Sequence, residues 1–299
     1  MRSNLDSQGA IVLERSRVAD YVTLTKPELT FLSVVTALAG FYLGTTGAIP
    51  FVLLIHTLVG TALLGAGAGA LNQYLERKYD AMMHRTEHRP LPSGRLTPLE
   101  VLIFGSVSSF LGILELTLTT NALTGFLSVV TLTTYLFLYT PLKRITPFAT
   151  VIGGIPGALP PLMGWTAVRG EISAEAFVLF AILFFWQMPH FLSLAWMYRK
   201  DYARAGYRML TVLDPDGGAT SRQILLYCVA LIPATLMLSL VGRLGQVYFV
   251  GALLLGFVFL WYGLQLFVAR SNVNARRMFF ASLLYLPTLV ALMVLDTLA

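Results

Sequence analysis

Asn72, Glu76 and Asp80 stand at intervals of four in NQYLERKYD. On a helix, that spacing sets an amide and two carboxylates in one row along one face. Such a row suits a hard divalent cation, above all magnesium carrying a diphosphate. It would serve equally as a solvated helix end paired with Arg77 and Lys78. A second polar cluster, MYRKDYARAGYRML at 197–210, adds one acid, Asp201, with Lys200, Arg204 and Arg208. Asp201 would complete a metal site built by the two loops, and the three cations would meet phosphate charge. A third element, YTPLKRITP at 139–147, offers Lys143 and Arg144 to a departing anion and the Tyr139 hydroxyl as a donor. Arg85 and Arg89 could cover the same anion. Taken singly, each cation would anchor a lipid headgroup just as well. Convergence from three loops is what suggests a diphosphate site.

His84 and His88 are also four apart, but Arg85 and Arg89 crowd them and the carboxylates nearby favour magnesium over zinc or haem iron. His190 lies near the end of an otherwise apolar run. It would face a haem or handle a proton, or simply be a satisfied histidine inside a helix bundle. The chain has neither a GxxxxGKS/T loop nor a GxGxxG turn after a strand, which argues against P-loop ATP hydrolysis and a nicotinamide fold.

The elements that position these residues are membrane crossings. Of the 299 residues, 56% are hydrophobic and only 12% charged, about half the charged share of a soluble globule. The apolar runs reach the roughly 20 residues that one helical crossing needs. Nine are expected, at 29–47, 51–71, 98–117, 121–139, 147–166, 173–195, 222–241, 246–268 and 278–298. The fifth, TPFATVIGGIPGALPPLMGW, is crowded with Gly and Pro and is expected to be broken or kinked. Pro189 should bend or interrupt the sixth. Gly65, Gly67 and Gly69 on the second should let another backbone approach closely.

The basic residues test the count. With the N-terminus inside and nine crossings, the inner side receives Arg2, Arg15, Arg17, Lys26 and all later loop cations except Arg169 and Arg243, a split of 19 to 2. Dropping one crossing would scatter the charges over both faces. The first and second polar clusters, four crossings apart, then share the inner face. The formal charge of +6 is spread through these loops, which fits a membrane surface and an anionic substrate better than nucleic acid. The N-terminus has no compact apolar signal core, and Asp6, Glu14, Asp20 and Glu28 argue against a mitochondrial presequence. A prokaryotic inner membrane is the expected location, with the C-terminus outside. The single cysteine, Cys228, sits in an apolar run and reads as structural. The expected fold is an all-α polytopic membrane protein, with 1–28 as an inner N-terminal segment and 29–299 embedded.

Four strings carry a resemblance across nearly the whole chain: LTKPEL at 24–29, NQYLERKYDAMMHRTEHRPLPSGRL at 72–96, YTPLKRITPFATVIGGIPGALPPLMGW at 139–165 and WQMPHFLSLAWMYRKDYARAGYRML at 186–210. In these the chain resembles the protohaem IX farnesyltransferases, or haem O synthases, among the UbiA-type prenyltransferases. The resemblance implies a nine-helix bundle around a central cavity that opens sideways to lipid. It implies transfer of a farnesyl group from farnesyl diphosphate to the vinyl side chain of haem b, giving haem O for terminal oxidase assembly. By that resemblance Asn72, Glu76 and Asp80 match the first metal–diphosphate motif, Lys200 and Asp201 the second, and Tyr139, Lys143 and Arg144 the phosphate-binding centre. The chain departs from the pattern at Glu28, where Arg is common, and at Thr211, where Pro is usual.

On this reading Asn72, Glu76, Asp80 and Asp201 organise magnesium around the diphosphate. Lys143, Arg144, Lys200, Arg85 and Arg89 balance the charge that develops on leaving. Haem b is a substrate rather than a resident cofactor. The closest rival is a UbiA-type enzyme that prenylates an aromatic quinone precursor. A transporter and a non-enzymatic oxidase-assembly protein are further alternatives, and contact with a haem A synthase or terminal oxidase is left open.

Overall fold

In the computed structural model the described residues are 3–5, 11–13, 16–242 and 244–298. Arg2, Asp6, Glu14, Arg15 and Arg243 lie outside them. A two-stranded antiparallel ribbon, Ser3–Leu5 against Ile11–Leu13, precedes the helices. Among the described residues nine helices are long and apolar enough to cross a membrane, and the chain is an integral membrane protein.

The short helix α1 (Arg17–Leu24) leads into the first crossing, α2 (Pro27–Gly44). The second, α3 (Phe51–Asp80), is 30 residues long. At 1.5 Å per residue that is about 45 Å, well beyond a hydrocarbon core of roughly 30 Å. Its last turns therefore carry the polar row past the apolar layer. The third crossing, α4 (Pro98–Thr119), opens with a capping box in which Thr97 and Glu100 bond each other's backbone amides. Next come α5 (Ala122–Thr133), a π-helical segment Thr134–Tyr139, and the short α6 (Thr140–Leu142), which together make the fourth crossing. The remaining crossings are α7 (Ala149–Arg169), α8 (Ala174–Met197), α11 (Gly218–Val241), α12 (Gln246–Val268) and α13 (Asn272–Leu298). Two short helices, α9 (Arg199–Arg204) and α10 (Leu210–Leu213), follow α8.

The prolines do not interrupt their crossings. Helix α7 runs unbroken through Pro156, Pro160 and Pro161, and α8 through Pro189. These are the two most buried crossings, so neighbours hold them where an isolated helix would break. Gln187 of α8 donates to the Gly154 carbonyl of α7 at 2.6 Å. Helix α2 presses backbone to backbone on the proline stretch. A Cβ at Gly40 would lie 1.9 Å from the Pro161 carbonyl oxygen, and one at Gly164 would lie 1.9 Å from that of Ala37. Gly164→Ala should therefore destabilise the bundle by about 1–3 kcal/mol, the cost of overpacking, although alanine is the better helix former. An unchanged unfolding temperature in detergent would contradict this contact.

The glycine-rich end of α3 behaves as its composition suggests. Gly67 packs against the Gly105 carbonyl and the Ser109 amide of α4, and Gly69 lies under the Leu24 carbonyl at the end of α1. Gln73 donates to the carbonyls of Thr23 and Leu24, fixing where α1 hands over to α2. Buried Asp20 binds Arg95, whose guanidinium also holds the His88 carbonyl. These contacts fold α1 and the 81–97 loop over the end of α3.

Candidate functional site

The row on α3 faces inward. Asn72, Glu76 and Asp80 are 1%, 6% and 1% exposed, which rules out the solvated helix end. Lys78 is exposed, and Arg77 turns back to the Tyr74 carbonyl and ring. Cations from elsewhere in the chain meet the row. Lys143 Nζ donates to Glu76 Oε1 at 2.8 Å, and Arg89 binds Asp80 Oδ2 at 2.8 Å. Lys26 Nζ donates to Asn72 Oδ1 at 2.6 Å and to the Tyr135 hydroxyl at 3.3 Å.

The π-helical segment sets the opposite wall. Its wider turn brings the Thr140 amide to the Tyr135 carbonyl, five residues back. Tyr135 and Tyr139 stack with centroids 5.7 Å apart. Lys143 Nζ stands 4.3 Å over the Tyr139 ring, and Thr140 Oγ1 accepts from Asn72 at 3.0 Å. Tyr139 rests on Gly153 of α7, where a Cβ would come within 2.5 Å of the ring. Arg144 is exposed, bonded to the Tyr79 hydroxyl and lying over that ring.

Charge at this end is crowded. Burial pulls the Lys26 ammonium down to about 7, Arg89 and Lys143 add repulsion, and Glu76 and Asp80 only partly offset them. Burial also opposes the Lys143 charge most strongly, but the Glu76 carboxylate together with the Tyr139, Tyr135 and Tyr207 hydroxyls outweighs it and holds that ammonium well above its ordinary value. The Tyr207 hydroxyl is pushed up, first by burial and then by Glu76.

The second loop reaches the same end of the bundle. Arg85 donates to the Tyr202 hydroxyl at 3.0 Å and covers the Tyr198 ring. Arg204 contacts His84 and pairs with Asp201. The Arg208 amide donates to the Lys143 carbonyl at 2.8 Å, and Tyr207 packs against Tyr79. Asp80 and Asp201 thus share one face, linked through the 81–97 loop. They do not close one shell. Among the described residues no three His, Cys, Asp or Glu side chains are gathered as a set for a single ion. Each carboxylate is matched with its own cation, and Lys200 is exposed on α9. One acceptor is left over: Asp80 Oδ1 is buried without a hydrogen-bond partner. A buried carboxylate oxygen in that state fits a hard cation.

A cavity of about 200 Å³ adjoins the row, lined by Glu76, Tyr79, Thr140, Arg144 and Tyr207. Leu75 and Phe137, both exposed on the flank, border it. It is smaller than the roughly 300–1,000 Å³ of ordinary small-molecule sites and matches a head group rather than a prenyl chain.

The histidines stand elsewhere. His84 and His88 are exposed beside Glu87. His190 stacks between Trp186 and Phe279, with Nδ1 2.7 Å from Ser282 Oγ. Its contacts are with α8 and α13 rather than with the Glu76–Asp80 cluster. Lys26 was not among the expected site residues; it is the one non-glycine among the described residues with positive φ (47°). A residue before proline ordinarily avoids this conformation, and strain of this kind gathers at working sites. The available signal was a lysine immediately before the proline that opens an apolar helix. Tyr135, Thr140 and Tyr207 were missed as well.

Comparison with known proteins agrees with this architecture. Residues 33–284 match the UbiA prenyltransferase family. The protoheme IX farnesyltransferase of Solibacter usitatus (strain Ellin6076) is 48% identical over 286 residues, 93% of this chain and 98% of the relative. Among solved structures, a UbiA homolog from Aeropyrum pernix K1 superposes with a TM-score of 0.73 at 18% identity, over 90% of this chain and 98% of that one. A UbiA homolog from Archaeoglobus fulgidus, bound to GPP and Mg2+, does so with a TM-score of 0.64 at 15% identity, over 92% and 99%. With nine crossings folded in this way and a matching sequence over most of its length, the chain belongs to the UbiA prenyltransferase family.

Proposed function

We propose that this prenyltransferase moves the farnesyl group of farnesyl diphosphate onto the vinyl side chain of haem b, giving haem O and diphosphate. The observation that carries the reading is the 48% identity, over nearly the full length of both chains, to a relative named for that reaction. The buried row on α3, met by Lys26, Lys143 and Arg89, is the chemistry such a reaction needs.

One or two magnesium ions, the metal in the GPP complex of the Archaeoglobus fulgidus homolog, would be held by Asn72, Glu76 and Asp80 on α3 and by Asp201 on the facing loop, and when bound supply positive charge to the leaving diphosphate. Lys143, Arg144, Lys26, Arg89, Arg85 and Lys200 bind and orient the phosphate oxygens. The Tyr139 hydroxyl donates a further hydrogen bond. The allylic carbon–oxygen bond breaks with its electron pair leaving on the diphosphate. The apolar helix faces keep water from the carbocation. The haem vinyl electrons form the new carbon–carbon bond, and water then adds to the resulting cation and loses a proton, leaving the hydroxyalkyl group.

The 19 to 2 split of basic residues supports a prokaryotic inner membrane with the N-terminus and site inside and the C-terminus outside. Product release on that side would suit a haem A synthase or terminal-oxidase assembly machinery. The decisive experiment incubates purified protein with haem b, farnesyl diphosphate and varied magnesium, and weighs the products. Prenylated 4-hydroxybenzoate in place of haem O would move the assignment to a quinone precursor, and substrate flux without bond formation would move it to a transporter.

Lys26 gives a narrower prediction. Lys26→Gly suits the positive φ and should leave stability within about 1 kcal/mol of wild type. It removes the ammonium, and KM for farnesyl diphosphate should rise about tenfold or more. An unchanged KM would take Lys26 out of the binding set.

A further inference from the structure

Helices α12 and α13 lie side by side on the flank of the bundle, with a groove of about 460 Å³ between them. Its floor is closed by two buried rings, Phe259 and Tyr285, whose centroids are 4.8 Å apart. Val258, Phe280 and Leu284, its walls, are exposed apolar side chains on membrane-crossing helices. Arg276 and Arg277, near the start of α13, line the same groove, and Arg276 lies over the Phe280 ring at 5.6 Å.

The charges at this end differ in how they are matched. Arg270 is paired with Asp216, and Arg199 donates to Asn272. Among the described residues Arg276 and Arg277 have no salt bridge. Two uncompensated guanidinium groups therefore stand at one end of an apolar trough, near a helix N-terminus whose dipole adds charge of the same sign.

We propose that this groove binds an anionic phospholipid from the surrounding bilayer, its phosphate held by Arg276 and Arg277 and an acyl chain laid between α12 and α13. The planar fork of arginine matches phosphate oxygens, and basic residues between crossing helices recognise anionic head groups. Farnesyl diphosphate and haem share the pattern of anionic head and apolar body, but both must reach the Glu76–Asp80 cluster. The closed floor faces them with packed rings, and the cluster lies on α3 and the 134–144 segment. A lipid needs no such access.

Full-length protein in neutral detergent is titrated with dioleoyl phosphatidylglycerol or dioleoyl phosphatidylcholine in mixed micelles, and its unfolding temperature is read. The anionic lipid should raise it by about 3 °C more than the zwitterionic one. Arg276→Gln/Arg277→Gln should lose that increment and match wild type in phosphatidylcholine, and Arg270→Gln should keep it. Leu284→Trp, which fills the trough and leaves both charges, should lose it too and serves where the double variant does not fold. Equal effects of the two lipids, an increment that survives in these variants, or one lost equally in Arg270→Gln overturns the proposal. Stabilisation by protohaem IX through the same two arginines would assign the groove to haem and overturn it as well.

Discussion

Asp80→Asn is expected to cut farnesyl transfer at saturating haem b by about a hundredfold to a thousandfold, with the fold intact. The side chain keeps its volume, so the cause lies in charge and donor pattern. Asp80 Oδ2 is engaged by Arg89, and Oδ1 is buried with no partner. In the asparagine variant the amide oxygen can still meet Arg89, which turns the nitrogen into the Oδ1 position. A donor then stands where a cation needs an acceptor. Asp201→Asn should lower turnover less, because Asp201 is less buried and already shared with Arg204. Removing magnesium with a chelator should abolish turnover in the wild type. Product masses at matched unfolding temperatures check the series, and near-wild-type turnover in Asp80→Asn would end the role of the α3 row.

The crossings were legible because a bilayer imposes a length and penalises loop charge on one side. The spacing of Asn72, Glu76 and Asp80 was legible too, although the second crossing was expected to end at 71 and α3 continues to Asp80. That extension turns three spaced residues into a row that can be buried. Pairing was not legible. Nothing local says that Glu76 meets Lys143, 67 positions away, while Asp80 takes Arg89. The π-helical segment has no compositional mark, since its wider turn is a matter of hydrogen-bond register. The prolines of α7 and α8 misled for a related reason. Proline removes a backbone donor wherever it occurs, but whether the helix survives depends on neighbours such as Gln187 and the Gly40 face of α2. Lys26 escaped because its backbone conformation follows from Gln73 clamping the end of α1, a contact across nearly fifty positions.

Lys143→Ala carries the second large effect, and it separates binding from mere charge balance. Lys143 is the partner of a buried carboxylate, so its loss leaves Glu76 charged and unpaired. Breaking a buried pair in this way costs about 3–5 kcal/mol of stability. The ammonium is also the cation nearest both Glu76 and the stacked Tyr139 ring. Its removal should lower kcat/KM for farnesyl diphosphate about a hundredfold, the scale of a lost charge-assisted contact, with KM for haem b unchanged. Glu76→Gln/Lys143→Ala removes the stranded charge and should recover most of the lost unfolding temperature while leaving the diphosphate defect in place. If the double variant instead recovered activity along with stability, Lys143 would be a counter-ion for Glu76 and nothing more. If the single variant lost haem affinity rather than diphosphate use, the phosphate end of the site would have to be placed elsewhere in the bundle.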